Sequence, residues 1–482
     1  MNIVDPILFQ CKLNPPAAAI CAPGTTFNVV SYGRLERFIH NVSRVGLSLG
    51  LEAGQIVAIS VKDTIFHVAI ILGLTRLGVI TLSASELNLP KELRVDAVVT
   101  DTPRPIASGP RIILANADWT NGDGAPLADK QVYRGKDDDL CRIMLTSGTT
   151  GEPKAIAFSH RMLFERLTRF HYVTGSRLPS AMRLYSDLGI AQSTTFRCTL
   201  FMLWRGGTMF FYGDSPESTV QALDLYKVQG MVAGPFSLAE HLKFYEAQDA
   251  FQCTLDHIIC LGAQLSKSLS ERVRARMCAN LFSVYGATEV STVACAPAHA
   301  VANVPGAVGY VVPGVIVEIV DAAGKRLPAG REGIVRIRSP YNVGGYLGDR
   351  DNSASAFRDG CFYPGDMGYL TPDRVLVIIG RESTVLNLGG DKVNPERIEQ
   401  VLLSFPGITQ AAAFGILNPM GIEELSVAVV SDSFDERALR AHCERHLPPG
   451  FVPLHFLSMN KIPMTETGKI DRRRLVEGVK NK

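Results

Sequence analysis

The sequence predicts an α/β protein, with a large N-terminal domain of α/β and β-rich subdomains followed by a small α+β C-terminal domain. The chain has 482 residues, which is more than one ordinary hydrophobic core supports. Residues 31–130 alternate helical patterns with short apolar segments, the pattern typical of parallel strands joined by helices. From about Gly306 the apolar segments are closely spaced and separated by glycines, which predicts a β-rich subdomain.

The N-terminal elements can be assigned in chain order. "YGRLERFIHNVSRVGLSLG" has a helical period, whereas "QIVAISV" and "VDAVVTD" are typical of buried strands. "HVAIILGLTRLGVITL" contains Arg76 and is too short to span a bilayer, so it predicts a buried helix followed by a strand. The strand pattern continues in "GGTMFFYG", "QGMVAG" and "HIICLGA".

A domain boundary is predicted at "VLVIIGRES", which divides an N-terminal domain, residues 1–381, from a C-terminal domain, residues 382–482. In the C-terminal domain, Asn394 is expected as the N-cap of a helix that begins with Pro395. One apolar face of this helix is formed at i, i+3, i+4 and i+7 by Ile398, Val401, Leu402 and Phe405. A strand, a second helix and a further strand are expected to follow.

Composition excludes several classes of protein. The chain is 46% hydrophobic and 20% charged, with a formal net charge of +2, so neither a nucleic-acid partner nor electrostatic attachment to a membrane is expected. The N-terminus "MNIVDPILFQCK" has no signal-peptide pattern. The ten cysteines form no CxxC pair, which favours reduced thiols in a cytoplasmic protein over disulfides or a zinc site.

The loop "TSGTTGEPK", residues 146–154, has the composition of an anion site. Backbone N–H groups of a glycine-rich turn, hydroxyl groups and the mobile charge of Lys154 can together bind phosphate. It is not a Walker A loop, because two residues separate Gly151 from Lys154. Taken alone, the loop is equally compatible with an ordinary surface turn.

Four further segments carry candidate site residues. In "VYGATEV", the Tyr285 ring can stack on a base and Glu289 can bind Mg²⁺. In "FYPGDMGYL", Asp366 can accept hydrogen bonds from both hydroxyls of a ribose. Arg381 lies at the predicted boundary, and Lys469 lies near the end of the chain in "KIPMTETGKIDRRRL". Each residue taken singly also permits a purely structural interpretation.

In this order, the five motifs resemble the adenylate-forming superfamily, which includes acyl-CoA synthetases, nonribosomal-peptide adenylation domains and beetle luciferases. The resemblance extends from "YGRLERF" to "GKIDRRRL". It implies that the β- and γ-phosphates of ATP are bound by Thr146, Ser147, Gly148, Thr149, Thr150, Gly151 and Lys154. It implies adenine contacts from Gly262, Ala263, Gln264, Tyr285 and Gly286.

The resemblance also implies the remaining roles. Thr288 would contact the α-phosphate, Glu289 would hold Mg²⁺, and Asp366 and Arg381 would bind the ribose. Lys469 would be the catalytic lysine that bridges the substrate carboxylate and the α-phosphate. Ser383 would be the hinge about which the C-terminal domain moves, and Gly389 and Gly390 would lie beside a pantetheine channel.

The implied reaction is formation of acyl-AMP and pyrophosphate from a carboxylic acid and ATP, followed by transfer of the acyl group to CoA. The first alternative is an adenylation enzyme that loads the phosphopantetheine arm of a separate carrier protein. The second is a nucleotide-binding protein of the same fold without catalytic activity. Retention of Lys469, Glu289, Asp366 and Arg381 together argues against this second alternative.

The chain departs from the family pattern where the acyl substrate would bind. No histidine occurs between His171 and His241, although many acyl-CoA synthetases have a gating histidine there. The position at which amino-acid-activating relatives have an aspartate falls near Ser193, which disfavours an amino acid. Arg197 lies in the same apolar segment. It would either pair with a buried carboxylate of the protein or bind a second carboxylate of the substrate.

The phosphate-loop assignment predicts the effect of removing two hydroxyls. Replacing Thr149 and Thr150 by alanine should weaken the use of ATP because two donors to phosphate are lost, while the melting temperature stays near that of the wild type. The measurement is pyrophosphate release as a function of ATP concentration. Unchanged ATP dependence in the double variant would favour the surface-turn interpretation.

Overall fold

The computed structural model describes most of the chain: residues 1–84, 89–103, 109–128, 131–147, 153–174, 182–211, 215–247, 253–388, 391–417, 423–431, 433–465 and 470–480. These residues form two compact units. The first consists of residues 1–232, 288–291 and 341–357, and the second of residues 233–287, 292–340 and 358–482.

The α-helices of the described residues are α1 (Asp5–Leu13), α2 (Tyr32–Ser48), α3 (Thr64–Thr75), α4 (His160–Thr174), α5 (Ser193–Arg205), α6 (Pro216–Leu225), α7 (Pro235–Ala247), α8 (Lys267–Arg276), α9 (Ala298–Val301), α10 (Arg350–Ala356), α11 (Pro395–Leu403), α12 (Glu436–His446) and α13 (Arg472–Lys480). The first half of the strands are β1 (Ala18–Ala22), β2 (Asn28–Ser31), β3 (Ile56–Ser60), β4 (Ile80–Ser83), β5 (Ala97–Thr100), β6 (Arg111–Leu114), β7 (Leu140–Ser147), β8 (Pro153–Ser159), β9 (Arg183–Ser186), β10 (Thr208–Phe210), β11 (Gly230–Ala233), β12 (His257–Cys260) and β13 (Leu281–Ala287). The others are β14 (Ser291–Pro297), β15 (Ala307–Val311), β16 (Ile316–Val320), β17 (Gly333–Arg338), β18 (Phe357–Arg358), β19 (Cys361–Phe362), β20 (Asp366–Leu370), β21 (Val375–Arg381), β22 (Leu386–Leu388), β23 (Asp391–Val393), β24 (Ile408–Leu417), β25 (Glu423–Ser431) and β26 (His455–Ser458).

The first unit contains two sheets. One has the strand order β6-β5-β3-β4-β7-β8 and is parallel except for the antiparallel pair β7 and β8. In the other, β11, β9, β10 and β1 pair in parallel and β2 pairs antiparallel with β1. The α/β alternation predicted for residues 31–130 is therefore confirmed.

Helix α3 is the buried helix predicted from the most apolar segment. Every residue from Ile65 to Thr75 is buried, so a helix that is apolar all round suits its position. A Cβ atom at Gly73 would lie 2.6 Å from Val42 of α2, so the close contact of the two helices requires glycine there. No helix of the described chain is both long enough and apolar enough to cross a membrane. None of the ten cysteines, all of them in described segments, forms a disulfide.

The second unit has a mostly antiparallel sheet and a small α+β part. The sheet runs β12-β13-β14-β15-β21-β20-β17-β19, and β16 pairs with β17. Closely spaced antiparallel strands follow Gly306, as the glycine-rich sequence predicts. The small part contains the hairpin of β22 and β23, the sheet of β24, β25 and β26, and helices α11 to α13.

Alternate residues of β24 enter two different apolar cores. Ala411 and Ala413 pack in the core that includes residues of α11 and α12, whereas Ala412 and Phe414 pack in the core that includes Leu475 of α13. The period of two follows from strand geometry and places helices on both faces of the sheet. The predicted large α/β N-terminal domain and small α+β C-terminal domain are thus confirmed, while the boundary between residues 381 and 382 stays a prediction.

Helix α11 begins where the sequence predicts, with Asn394 as N-cap and Pro395 in the first turn, but the Asn394 side chain makes no capping hydrogen bond. The predicted apolar face is confirmed. Ile398 and Leu402 are buried in the core, and Val401 and Phe405 pack against it.

A buried ion pair joins α13 to α11. The Nη2 atom of Arg472 lies 2.6 Å from the Oε1 atom of Glu399, which also accepts a hydrogen bond from the N–H of Ala413. Burial raises the pKa of Glu399 to about 7, and the charge of Glu396 adds to this, while Arg472 opposes it. Arg472 therefore compensates a carboxylate that has little contact with water.

Replacing Arg472 by methionine should lower the free energy of unfolding by about 3 kcal/mol, because it leaves the buried Glu399 carboxylate without its partner. The matched control is Arg473→Met, since Arg473 is 89% exposed and pairs with Glu477 on the surface. This control should change stability by less than about 0.5 kcal/mol. Urea unfolding measures both. Equal losses in the two variants would contradict a special role for Arg472.

Candidate active site

The predicted phosphate loop connects two strands of a hairpin. Strands β7 and β8 pair antiparallel, with Thr146 opposite Lys154 and Ser147 opposite Pro153. Gly148, Thr149, Thr150 and Gly151 lie outside the described residues. The pairing of β7 with β8 explains why two apolar segments flank the hydroxyl-rich sequence. It also places the backbone of Thr146 directly beside that of Lys154.

Glu289 and Lys154 both contact the side chain of Tyr346. The Tyr346 hydroxyl donates to Oε1 of Glu289 at 2.9 Å, and the Nζ atom of Lys154 lies 4.8 Å from the centre of the Tyr346 ring. The N–H of Leu347 donates to the carbonyl of Ala155 on β8 at 2.8 Å, which holds the tyrosine against the hairpin. Glu289 is 9% exposed, so the tyrosine hydroxyl partly replaces its hydration.

This arrangement suits Mg²⁺ if phosphate oxygens complete its coordination. Mg²⁺ is commonly held by one or two carboxylates together with substrate phosphates and water, not by a complete protein cage. Among the described residues no three His, Cys, Asp or Glu side chains form a metal-binding group. Glu289 is a carboxylate of the kind that a magnesium–nucleotide complex uses as a ligand, and its role as a metal ligand stays a prediction.

Arg166 of α4 fixes the backbone on both sides of this cluster. Its guanidinium donates to the carbonyls of Thr288 at 2.6 Å and Glu289 at 2.9 Å, and also to that of Tyr341. Arg166 is 3% exposed, and burial together with the charge of Arg197 lowers its pKa to about 9. The segments that carry Glu289 and Tyr346 are consequently held by one side chain.

The sequence interpretation did not include Arg166 or Tyr346. Arg166 could have been recognised, because it lies between Leu163 and Phe170 on the buried face of α4, where a charged residue needs polar partners. Tyr346 offers only a weak signal, an aromatic residue that follows two glycines in "GGYLGD".

A second cluster joins three of the predicted site residues. Asp366 and Arg381 are directly paired across the antiparallel strands β20 and β21. The Nε atom of Arg381 lies 2.8 Å from Oδ1 of Asp366, and the Tyr285 hydroxyl donates to Oδ2 of Asp366. Asp366 is only 5% exposed. The three residues come from separate motifs, and the structure brings them into one hydrogen-bonded group.

Local backbone geometry positions Asp366. Gly365 has φ +75°, a conformation that favours glycine, and so turns the chain into β20. The Nη1 atom of Arg381 donates to the carbonyl of Pro364 at 2.8 Å, which supports the same turn. The tyrosine hydroxyl is anchored to Asp366, and this hydrogen bond orients the Tyr285 ring.

The predicted adenine segment follows β12. Gly262 has φ +91°, and Oε1 of Gln264 accepts a hydrogen bond at 2.6 Å from the side chain of Gln400 on α11. Gly286 lies in β13 between Tyr285 and Ala287. The positions of Gly389, Gly390 and Lys469 fall outside the described residues, so their assigned roles stay predictions.

The fold and these motifs are those expected of the adenylate-forming superfamily, and comparison with known families agrees. Residues 9–347 match the family described as AMP-binding enzyme, and residues 397–469 match the AMP-binding enzyme C-terminal domain. The chain belongs to the AMP-binding enzyme family.

Three known proteins illustrate the similarity. A probable CoA ligase from Humulus lupulus is 25% identical over 93% of this chain and 91% of its own. The ATP-bound crystal structure of MatB from Rhodopseudomonas palustris has a TM-score of 0.84 at 23% identity and covers 100% of this chain and 99% of its own. The amide bond synthetase McbA from Marinactinospora thermotolerans has a TM-score of 0.80 at 22% identity and covers 99% of each chain. The predicted fold is thereby confirmed.

The geometry at Asp366 predicts discrimination against 2′-deoxy-ATP. If the carboxylate binds the ribose hydroxyls, loss of one charged hydrogen bond should lower kcat/KM by about 10- to 100-fold. Asp366→Asn should narrow this difference between the two nucleotides. Asp373→Asn, at an exposed turn after β20, is the control and should retain it. Equal use of ATP and 2′-deoxy-ATP by the wild type would contradict the assignment.

Proposed function

We propose that this protein is an ATP- and Mg²⁺-dependent carboxylate–CoA ligase that works through an acyl-AMP intermediate. Membership of the AMP-binding enzyme family and similarity to CoA ligases support an AMP-forming ligase. The observation that carries the proposal is the hydrogen-bonded group of Tyr285, Asp366 and Arg381. A ring that can stack on adenine and a carboxylate that can bind ribose are what recognition of a nucleoside requires.

In the first step, an oxygen of the substrate carboxylate attacks the α-phosphorus of ATP. The bond from this phosphorus to the bridging oxygen breaks, and pyrophosphate leaves. Two anions approach each other while a third departs, so positive charge and donors at the site lower the barrier. Bound Mg²⁺ would supply charge stabilisation of the phosphate oxygens.

The residues of this chain would share the work of that step. The β- and γ-phosphates would be held by Lys154 and by the hydroxyl and N–H groups of residues 146–151. Thr288 would contact the α-phosphate. Glu289 would be the metal ligand, and its contact with Tyr346 orients the carboxylate. Lys469 would neutralise charge between the two reacting groups. No side chain of the protein is required as a nucleophile.

In the second step, the thiol sulfur of CoA attacks the acyl carbonyl, the thioester forms, AMP leaves and the thiol proton is released. We propose that residues 382–482 move about Ser383 between the two steps, carrying Lys469 away and bringing Gly389 and Gly390 to the pantetheine. The hydrogen bond from Gln400 to Gln264 would be broken or remade in such a movement, since Gln400 lies in the proposed moving domain.

The acceptor of the acyl group is tested by offering different nucleophiles. CoA, a carrier protein with a phosphopantetheine arm and a primary amine are each supplied with acid and ATP. The proposal expects thioester formation with CoA. The amine is included because McbA is an amide bond synthetase. If product forms only with the carrier protein or only with the amine, that molecule is the acceptor and CoA is not. The proposed adenylation step is unaffected by this result.

Replacing Lys469 by alanine should separate the two half-reactions. Loss of its charge should slow acyl-AMP formation by about 10²–10³-fold, by analogy with the loss of a single oxyanion donor. With preformed acyl-AMP and CoA, the same variant should form thioester at near the wild-type rate, because Lys469 would then lie away from the site. Stopped-flow or quenched assays of each half-reaction provide the measurement.

Arg473→Ala is the control for this experiment, because Arg473 is a neighbouring cation whose side chain is 89% exposed. It should leave both half-reactions close to those of the wild type. Equal loss of both half-reactions in Lys469→Ala would mean that the lysine does not leave the site or that the variant is misfolded. Loss of neither would remove the main support for catalysis by this residue.

A further inference from the structure

Three arginine side chains form a group of positive charge in the first unit, and the charge of Glu289 offsets part of that of Arg166. Arg166 and Arg169 lie on α4 and Arg197 lies on α5, and the charge of Arg197 lowers the pKa of Arg166. None of the three forms an ion pair with a carboxylate of the described residues. We call Arg166, Arg169 and Arg197 the arginine cluster.

The nitrogen atoms of the arginine cluster differ in how many hydrogen-bond partners they have. Both Nη atoms of Arg166 donate to backbone carbonyls. Arg169 stacks on the Tyr341 ring at 4.6 Å, and its buried Nε and Nη2 atoms have no hydrogen-bond partner in the described chain. Arg197 makes one hydrogen bond, from Nη1 to the Ser291 hydroxyl at 3.0 Å, while its Nε atom is buried without a described partner.

The surroundings of Arg197 make its charge costly. It lies between buried Phe196 and Cys198 on α5, and its guanidinium stacks on the Phe170 ring at 5.2 Å. Burial lowers its pKa from the ordinary value. Its Nε atom is buried without a described partner, and a poorly solvated charge without a counterion is unfavourable. Because no carboxylate of the described residues pairs with Arg197, an anion bound beside it would be stabilised by its charge.

The position of Arg197 relates it to the proposed reaction. Its hydroxyl partner, Ser291, follows Glu289 by two residues, so the Cα atoms of Ser291 and Glu289 are at most about 7 Å apart. Arg197 is therefore close to the segment that would hold the metal and the α-phosphate, but its contact is with the residue beyond that segment. A second group of an acid that binds beside this segment would have to span only that distance to meet Arg197.

We propose that the acid substrate carries a second anionic group, and that Arg197 binds it as a specificity-determining residue. This inference rests on the proposed function and names its substrate class, a dicarboxylic acid. Arg197 suits this role because guanidinium binds carboxylate through two parallel hydrogen bonds. Ser291, a neutral hydroxyl, is a partner that a carboxylate can displace or share.

The test compares acids that differ only in the second carboxylate: succinate with butyrate, glutarate with valerate, and phthalate with benzoate. Pyrophosphate release gives kcat/KM for each acid. The wild type should prefer the dicarboxylic member of at least one pair by about 10- to 100-fold. Arg197→Met should bring this ratio close to 1, and Arg197→Lys should retain part of it.

Arg205→Met is the matched control, since Arg205 lies in the last turn of the same helix. In this variant the ratio of kcat/KM for the dicarboxylic acid to that for the monocarboxylic acid should equal the wild-type ratio. Thermal melting of each variant shows whether it is folded. A change in KM for ATP with an unaltered acid ratio would mean that Arg197 binds phosphate, and equal loss for both acids would mean that it supports the fold or the reacting carboxylate. Either result overturns the inference.

The same assay separates this inference from the proposed function. Pyrophosphate release with monocarboxylic acids, without gain from a second carboxylate in any pair, overturns the inference alone. Absence of release with every acid overturns the proposed function and the inference together. A preference for dicarboxylic acids that persists in Arg197→Met assigns recognition to another residue and also overturns the inference.

Discussion

The hydrogen bonds of the buried Arg166 guanidinium are the constraint on which the arrangement of the first unit's candidate site depends. One side chain binds the carbonyls of Thr288, Glu289 and Tyr341, which lie on two segments far apart in the sequence. A guanidinium has five donors in a rigid planar fork, so it fixes the positions of several acceptors at once. Because both segments are held to α4, the Tyr346 hydroxyl meets the Glu289 carboxylate and Lys154 lies over the same ring.

The cost of this arrangement is a buried positive charge. Arg166 offsets part of that cost with hydrogen bonds to three backbone carbonyls. Arg166, Arg169 and Arg197 each retain a buried Nε atom without a partner in the described chain. Under the proposed function, the phosphates of ATP and the carboxylate of the acid would supply negative charge that the described residues do not place beside Arg169 and Arg197. In the proposed reaction, positive charge that is already in place would require no reorganisation as negative charge develops.

In the second unit, strand pairing has the role that Arg166 has in the first. The register of β20 and β21 places Asp366 opposite Arg381, and the positive φ of Gly365 allows the turn before β20. The ion pair and the Tyr285 hydrogen bond follow from that register. A shift by one residue would turn Asp366 to the other face of the sheet, so the register of an antiparallel pair sets the geometry of the candidate ribose site.

Periodicity and local chemistry were sufficient to predict the elements and the motifs. Helix α3, the apolar face of α11 and the glycine-rich strands after Gly306 follow from the spacing of apolar residues, because burial of one face is a local pattern in the chain. Residue type and motif order were enough to select the candidate site residues Lys154, Glu289, Tyr285, Asp366 and Arg381. Pairings between distant segments do not have such a local signal. Only the folded chain decides which segments pack together. That packing sets the hydrogen bonds of Arg166, the contact of Tyr346 with Glu289 and the ion pair of Arg472 with Glu399. It also leaves Arg197 without a carboxylate partner among the described residues.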